Sequence, residues 1–412
     1  MNKKNIKVFY LLIPLILLLL FCFVSIFITP VWGDEVVYHY PNALNISFFN
    51  IIESNSTYSS AYTPLPYVLG GVVCKINNSI VTLRILNYFI FLLLIYYLYK
   101  IAVQLNYNPW LFVLLIISNP YLLRSSFAYY MFNYGLLFSI ICIYYYFFSK
   151  TKYKLIISHL FLGLAVLSQQ WMLIIGFALF VNELTQYFKK ILNKKQLINV
   201  VLYKLIFLFP ASLLFYCWGG LTHPHFQMHG LQPTFEHLNA VLANFGFVGI
   251  FIVIYKIKDI LNYKYIPLIF ILPIVWFTIP IHSQVHGPGI STGVASQLSM
   301  QIQKYLFIPY QASMALLIVA GIILFVFILS KSESNFTCFI KYTILGFIVA
   351  FMSSVLLGAS HIFISVPFLL IIFFPELNEN KALGKIVFTQ LYLIALFYII
   401  YLSLFVVKNV TL

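Results

Sequence analysis

Apolar segments close to the length that crosses a lipid bilayer recur through this chain of 412 residues. Hydrophobic residues make up 62% of the sequence, charged residues only 8%, and the mean hydropathy is +0.98. A membrane-spanning helix needs about 20 mostly apolar residues, and water-soluble folds do not have this balance. The sequence therefore predicts an all-α polytopic membrane protein, because a helix satisfies its own backbone hydrogen bonds inside lipid.

Hydropathy predicts about thirteen transmembrane helices, which form one integral-membrane domain over 1–412 without a separate soluble domain. The predicted spans are 8–28, 80–99, 110–123, 127–148, 154–168, 171–187, 199–218, 239–255, 265–281, 306–329, 342–357, 362–375 and 386–407. The spans 110–123, 154–168 and 362–375 are short, and they fit tilted or re-entrant helices as well.

The charges predict which ends of the spans face the cytoplasm. Most of the 24 basic residues fall between alternate spans, which places the N-terminus and these lysines inside. All histidines except His159 then fall in or beside outer loops. We expect this membrane to be a bacterial plasma membrane or that of the endoplasmic reticulum, and the sequence does not distinguish the two. The net charge of +15 serves orientation in such a chain, and no nucleic-acid partner is expected.

Asp34 and Glu35 stand next to each other just after the first predicted span, in a chain with only nine acidic residues. They open the first outer loop, 29–79, whose prolines and short apolar pieces predict helices along the membrane interface. A carboxylate there can take a proton from an attacking hydroxyl or hold a divalent metal ion. The pair is also typical of a helix N-terminus, so a capping role stays open.

Two arginines and two tyrosines are candidate substrate contacts on the same side. Arg84 and Arg124 are the only arginines of the chain, and guanidinium groups bind phosphate in bidentate fashion. Their alternative role is to anchor helix ends by reaching to the interface. Tyr62 and Tyr67 flank Thr-Pro-Leu-Pro, where they could stack on a sugar ring, although the prolines equally fit a helix start.

Polar residues in two further outer turns complete the candidate substrate site. Gln169 and Gln170 interrupt two apolar runs, and His361 precedes the twelfth span. These side chains can hydrogen-bond sugar hydroxyls or phosphate oxygens, and tight interhelical turns would explain them equally well.

Other cofactor patterns are weak or missing from the sequence. His223, His225 and His229 lie within seven residues but match no strong zinc spacing, so metal binding stays open. No phosphate-binding Gly-x-x-x-x-Gly-Lys loop occurs, and the five cysteines stand singly. We expect neither a nucleotide nor a redox cofactor.

Together these residues resemble the GT-C superfamily of integral-membrane glycosyltransferases, which use polyprenyl-phosphate sugars. The resemblance covers residues 1 to about 105, in the motifs Gly33-Asp-Glu-Val-Val-Tyr38, Tyr62-Thr-Pro-Leu-Pro-Tyr67 and Leu83-Arg-Ile-Leu-Asn87. The first motif is similar to the Asp-Glu pattern of protein O-mannosyltransferases and lipid A aminoarabinose transferases. The Asp-Glu segment and the proline segment are also similar to those of dolichyl-phosphate-glucose α-1,2-glucosyltransferases.

Beyond residue 105 the resemblance is mainly one of hydropathy. Fragments match at Ser168-Gln-Gln170 and at the segment from His361 to Pro367. In the latter, His361-Ile362 stands where many bacterial members have Arg-Tyr.

The resemblance implies that Asp34 is the catalytic base and that Glu35 contacts substrate or a metal ion. The expected donor is a polyprenyl-phosphate sugar, and the expected acceptor is a hydroxyl of a glycan, lipid or protein on the outer or lumenal face. Direct displacement at the anomeric carbon inverts its configuration.

Two other functions compete with this interpretation. A transporter or lipid flippase also has many helices, but it more often has ionisable residues near the bilayer midplane and inverted repeats. No internal repeat is visible in the sequence. A ligase or polymerase of O-antigen type would have a large outer loop with arginines in its second half, whereas both arginines here lie in the first third.

Overall fold

A computed structural model of the protein describes residues 3–29, 35–52, 58, 60, 62–224, 235–255, 294–331, 334–352, 359–380 and 382–393. Over these residues the regular structure is entirely helical, which confirms the predicted all-α class. The chain divides into two compact units, Met1–Gln227 with Leu391–Leu412, and Met228–Gln390. The prediction of one membrane domain over 1–412 stays a prediction.

The first unit holds eleven α-helices, two short π-helical segments and one 3-10 turn among the residues that are described. The α-helices are α1 (Lys3–Ile28), α2 (Tyr40–Leu44), α3 (Phe48–Ile52), α4 (Leu65–Cys74), α5 (Ile80–Gln104), α6 (Pro109–Ile117), α7 (Pro120–Phe127), α8 (Phe132–Ile143), α9 (Lys154–Ser168), α10 (Leu173–Phe188) and α11 (Lys194–Trp218). The π-helical segments are Glu35–His39 and Tyr144–Phe148, and the 3-10 turn is Gln170–Met172.

The remaining described helices follow residue 234. They are α12 (Phe235–Tyr255), α13 (Val294–Leu306), α14 (Tyr310–Ser330), α15 (Asn335–Met352), α16 (Ala359–Glu379) and α17 (Ala382–Leu393).

Among the described residues, six helices are long and apolar enough to cross a membrane by length and composition, which supports a multi-pass membrane protein. These are Ile80–Gln104, Gln170–Phe188, Lys194–Trp218, His237–Tyr255, Tyr310–Ser330 and Asn335–Met352. A bent pair of helices raises the number to seven if it forms one span. The larger number of about thirteen stays a prediction, and the predicted span 265–281 and most of 386–407 lie outside the described residues.

The predicted span 110–123 is broken into two helices. Asn108 and Asn119 each precede a proline, and each accepts a hydrogen bond from a backbone N–H of the helix it caps. Asparagine at the cap followed by proline is a strong helix start, so a second helix begins where the first ends. The axes of α6 and α7 differ by 81°.

Helix α8 lies at the centre of the first unit. All of its residues except Phe138 are buried, and α8 packs against α5 and α9. In contrast, α11 exposes Leu205, Ile206 and Phe209, which suits a face toward lipid. A polar site in this unit therefore has to form at the ends of the helices that surround α8.

Glycines let two helices of the second unit approach closely. A Cβ atom on Gly246 of α12 would lie 1.9 Å from the carbonyl oxygen of Leu317. A Cβ atom on Gly321 of α14 would lie 2.0 Å from the carbonyl oxygen of Leu242. Small residues at such contacts let backbones touch, which is a main source of helix association in membranes.

We expect Gly321→Val to separate α12 from α14, because its side chain would collide with backbone atoms that cannot turn away. Overpacking of this kind costs about 1–3 kcal/mol or more, so thermal unfolding of the purified protein should occur at a lower temperature. Gly220→Ala is the control, since no atom lies within 4 Å of its Cβ position. Equal unfolding temperatures for both variants would contradict the proposed helix contact.

Candidate functional site

Glu35 and Arg84 form an ion pair inside the protein, at the end of the first unit where α1 ends and α5 begins. Arg84 donates from Nε to Glu35 Oε1 at 3.0 Å and from Nη2 to Glu35 Oε2 at 2.7 Å. Glu35 is 0% exposed and Arg84 is 2% exposed. This two-point contact fixes the orientation of both side chains.

Arg84 also joins the end of α1 to this pair. Its Nη1 donates to the carbonyl oxygens of Ile26 at 3.1 Å and Thr29 at 2.8 Å. The Ile26 carbonyl lies in the last turn of α1, and the Thr29 carbonyl directly follows the helix. Carbonyl groups at the end of a helix have no partner within the helix. The arginine therefore neutralises the buried carboxylate and caps the helix before the Asp-Glu motif.

The turn between α7 and α8 is attached to the same pair. The backbone N–H of Tyr129 donates to Glu35 Oε1 at 2.6 Å. Asn87, one turn after Arg84 in α5, donates from Nδ2 to the carbonyl oxygens of Ala128 at 2.8 Å and Tyr130 at 2.9 Å. Residues spaced by three lie on one helix face, so α5 holds this turn at two points.

A group of aromatic rings lies beside the ion pair, and we call it the aromatic wall. Its members are His39, Tyr58, Tyr62, Tyr67, Tyr130, Trp218 and His223. His39 follows Glu35 by four residues, and its ring centroid lies 5.0 Å from that of Tyr130 and 6.0 Å from that of Tyr67. The ion pair and the wall thus share the short π-helical segment Glu35–His39.

Hydrogen bonds fix the middle of the aromatic wall. The Tyr67 hydroxyl lies 2.8 Å from His39 Nδ1 and 2.7 Å from Ser60 Oγ, which accepts from the Tyr62 N–H at 3.0 Å. Burial raises the pKa of the Tyr67 phenol above its ordinary value, and burial raises that of Tyr58 as well. Both phenols therefore act as neutral hydrogen-bonding groups.

Trp218 and His223 close the far side of the wall. Trp218, the last residue of α11, donates from its indole nitrogen to the carbonyl oxygen of Ile51 at 2.6 Å. Tyr58 stacks on Trp218 with ring centroids 6.2 Å apart and meets His223 edge-on at 5.3 Å. Ile51 and Tyr58 are consequently held against the end of α11.

Arg124 borders the wall at the end of α7. Its guanidinium lies over the Tyr130 ring, 3.9 Å from the ring centre, and Nη2 also donates to the Tyr130 hydroxyl. Arg124 is half-buried, whereas Arg84 is enclosed. Arg124 is thus the arginine of the two with a path to a ligand outside the protein.

Gln169 is a buried amide at the junction of α9 and the 3-10 turn. It is 0% exposed, and both polar atoms of its side chain lack a hydrogen-bond partner within the described part of the chain. A Cβ atom on Gly135 of α8 would lie 3.0 Å from Gln169 Oε1, so glycine leaves room for the amide. A buried amide of this kind is suited to bind a ligand group or water.

The structure brings five predicted site residues into one connected arrangement. Contacts through Tyr129, Tyr130 and His39 link the predicted residues Glu35, Tyr62, Tyr67, Arg84 and Arg124. Gln169 and Gln170 follow Val166, whose carbonyl oxygen accepts from Thr63 Oγ1 at 2.9 Å. Asp34 and the side chain of His361 lie outside the described residues.

Metal binding finds no support in the described ranges. They contain no group of three or more His, Cys, Asp or Glu side chains that could hold a metal ion. His225 and His229 are not among them. The charge of Glu35 is already neutralised by Arg84. A metal ion at the Asp-Glu motif would therefore need the carboxylate of Asp34 as its ligand.

The sequence did not point to several residues that build this site. The sequence patterns indicate no role for Ser60 or Tyr129, they include Asn87 only as the last residue of the Leu83-Arg-Ile-Leu-Asn87 motif, and they mark His39 only as one of the histidines of the predicted outer side. Asn87 could have been found, since it is a polar residue in an apolar span, three positions after Arg84. The Tyr129 contact uses a backbone N–H, and a side-chain pattern gives no signal for such a group.

Comparisons with known proteins do not assign the chain. No protein-family model matches it, and no curated protein matches it significantly.

We expect single substitutions in the Glu35–Arg84 pair to destabilise the protein strongly and the double substitution to be milder. Arg84→Met leaves a buried carboxylate without a cation, and Glu35→Gln leaves a buried guanidinium without an anion; removing one partner costs about 3–5 kcal/mol. The double variant buries no charge and keeps an amide oxygen for the Tyr129 N–H. Thermal unfolding in detergent measures these differences.

Lys75→Met serves as the control for the loss of one positive charge, because Lys75 is exposed at the end of α4. If the destabilisation of the double variant equals the sum of the two single destabilisations, the ion pair contributes no coupling free energy to stability.

Proposed function

We propose that this protein is a membrane glycosyltransferase of GT-C type, which transfers a sugar from a polyprenyl-phosphate donor to an acceptor hydroxyl. The observation that supports it best is the anchored position of Glu35, the neighbour of Asp34, beside the aromatic wall. Glu35 is thereby held near the end of α1, on the same short segment as His39 of the aromatic wall, and aromatic rings can stack on a sugar.

The proposed reaction is a direct displacement at the anomeric carbon. Asp34 takes the proton of the acceptor hydroxyl, whose oxygen forms the new bond to that carbon. The bond from the carbon to the phosphate oxygen breaks, and the polyprenyl phosphate leaves with the electron pair. The proton thus ends on Asp34 and the electron pair on the leaving phosphate, and these steps balance without a metal ion.

The contacts suggest separate roles for the other residues. Glu35 and Arg84 satisfy each other, which suits them to position Asp34 rather than to bind the phosphate. Arg124 is partly accessible and suits the donor phosphate, since a guanidinium can form two hydrogen bonds to it. Tyr62 is partly exposed and would contact the sugar, whereas Tyr67 is fully buried and would hold the ring of His39 in place. Gln169, Gln170 and His361 would be further polar contacts.

One observation favours the alternative of a transporter or lipid flippase. Glu183 of α10 is fully buried and pairs with Lys204 of α11, and it accepts from the Tyr146 hydroxyl at 2.8 Å. Lys204 lies ten residues after the start of α11, or roughly 15 Å along the helix. Ionisable residues at such depth often lie on transport pathways.

We expect purified protein in lipid nanodiscs to release polyprenyl phosphate from one member of a panel of radiolabelled polyprenyl-phosphate sugars. Asp34→Asn should lower this transfer by roughly 100-fold or more, because it removes the base with little change of volume. Glu53→Gln, in the same outer segment, is the control and should keep the rate.

Two outcomes would contradict the proposal. Transfer by Asp34→Asn at the rate of the unchanged protein would remove Asp34 from the mechanism. Absence of transfer from every donor, together with flux of a labelled lipid or solute in proteoliposomes, would favour the transporter.

A further inference from the structure

Seven lysines lie at the end of the first unit where α9 and α11 begin and α10 ends. We call this surface the lysine end, and its members are Lys150, Lys152, Lys154, Lys189, Lys190, Lys194 and Lys195. The sequence has no acidic residue between Glu53 and Glu183, or between Glu183 and Glu236. Glu183 is paired with Lys204, so this stretch of chain supplies no carboxylate to neutralise the lysine end.

The helix arrangement strengthens the positive potential there. Helices α9 and α11 pack side by side, and a Cβ atom on Gly163 would lie 2.3 Å from the carbonyl oxygen of Phe207. Helix α10 follows α9 in the sequence and returns the chain to the end where α9 began. Helices α9 and α11 therefore both begin at the lysine end. Helix N-termini have partial positive charge and favour acidic residues, yet neither first turn contains one, and both begin with lysine.

Lys190 occupies a backbone position that suits glycine or asparagine. Lys190 lies two residues after the end of α10 and has a φ of 58°. Two backbone hydrogen bonds of 2.9 Å form a Schellman turn here: Ile191 N–H donates to the carbonyl oxygen of Gln186, and Lys190 N–H donates to that of Tyr187. The same left-handed position after α5 is Asn106, and after α11 it is Gly219. A lysine is less favourable there than glycine or asparagine, as is Phe307, which has a φ of 57° directly after α13. Lys190 is exposed at this turn.

Apolar groups and a cavity accompany these charges. Phe188 is 75% exposed, Ile191 is 66% exposed and Tyr153 is 60% exposed. An open cavity of about 610 Å³ is lined by residues of the turn between α10 and α11, including Tyr187, Lys190 and Gln196. The surface thus combines positive charge with apolar anchors, at the ends of two helices that can cross the membrane.

We propose that the lysine end binds the headgroup phosphate of anionic phospholipids, with Lys190 at the cavity and Phe188 and Ile191 against the acyl chains. Lysine clusters beside membrane spans attract anionic lipids. The orientation of the helices during membrane insertion depends only on how many lysines lie on each side. It explains neither the left-handed backbone position of Lys190 nor the exposed apolar groups beside it. The proposal is independent of glycosyl transfer.

The test compares phosphatidylglycerol with phosphatidylcholine as ligands of the purified protein, by native mass spectrometry in detergent. We expect preferential binding of phosphatidylglycerol, weakened about fivefold by Lys190→Asn and about 25-fold by joint Lys194→Gln and Lys195→Gln. Without added lipid, Lys190→Asn should unfold at the same or a higher temperature, because asparagine tolerates the left-handed position. Lys75→Asn, at an exposed lysine elsewhere, should change neither quantity.

Three results would overturn the proposal. Equal binding of the two lipids would show no anionic preference. Unchanged phosphatidylglycerol binding by Lys190→Asn, with a lower unfolding temperature, would give Lys190 a purely structural role. Displacement of the lipid by an equal concentration of glycerol phosphate would show a site for free phosphate, in which the apolar anchors have no part.

Discussion

A carboxylate and a guanidinium enclosed in one apolar interior must stay together, and the arrangement of the candidate site depends on this pair. Glu35 and Arg84 are 49 positions apart in the sequence, and together they bind the end of α1, the start of α5 and the turn after α7. Desolvating two charges is expensive unless every donor and acceptor is matched. The contacts at both side chains meet that condition, so the segment Glu35–His39 is held in a defined position.

The same constraint separates positioning from chemistry within the Asp-Glu motif. Both oxygens of the Glu35 carboxylate already accept hydrogen bonds from Arg84, and one of them also accepts from the Tyr129 N–H, so this side chain is occupied in holding the structure. In the proposed mechanism Glu35 therefore anchors the backbone, and the role of base is assigned to Asp34. The aromatic wall and Arg124 then supply the kinds of surface that a sugar and a phosphate need.

Parts of this architecture could be predicted from the sequence, and others could not. Hydropathy predicted the helical class, and Asn-Pro at residues 108–109 and 119–120 marks the helix starts that divide the 110–123 segment. Glu35, Arg84 and Arg124 stand out in the sequence because acidic residues and arginines are rare in this chain, and Tyr67 stands out because it flanks the Thr-Pro-Leu-Pro segment. Their pairing could not be predicted, because hydropathy reports how a side chain tolerates lipid and gives no information about its partner. The position of Lys190 at a left-handed turn likewise became visible only in the backbone angles.

Backbone hydrogen exchange of the segment 128–131 tests the central interaction most directly. If the Glu35 carboxylate holds the Tyr129 N–H, this segment should exchange slowly in the unchanged protein and much faster in Glu35→Ala, which removes the acceptor. A segment in the middle of α5, such as 90–98, should exchange equally in both. Fast exchange of 128–131 in the unchanged protein, or equal exchange in the variant, would contradict the account that this ion pair organises the site.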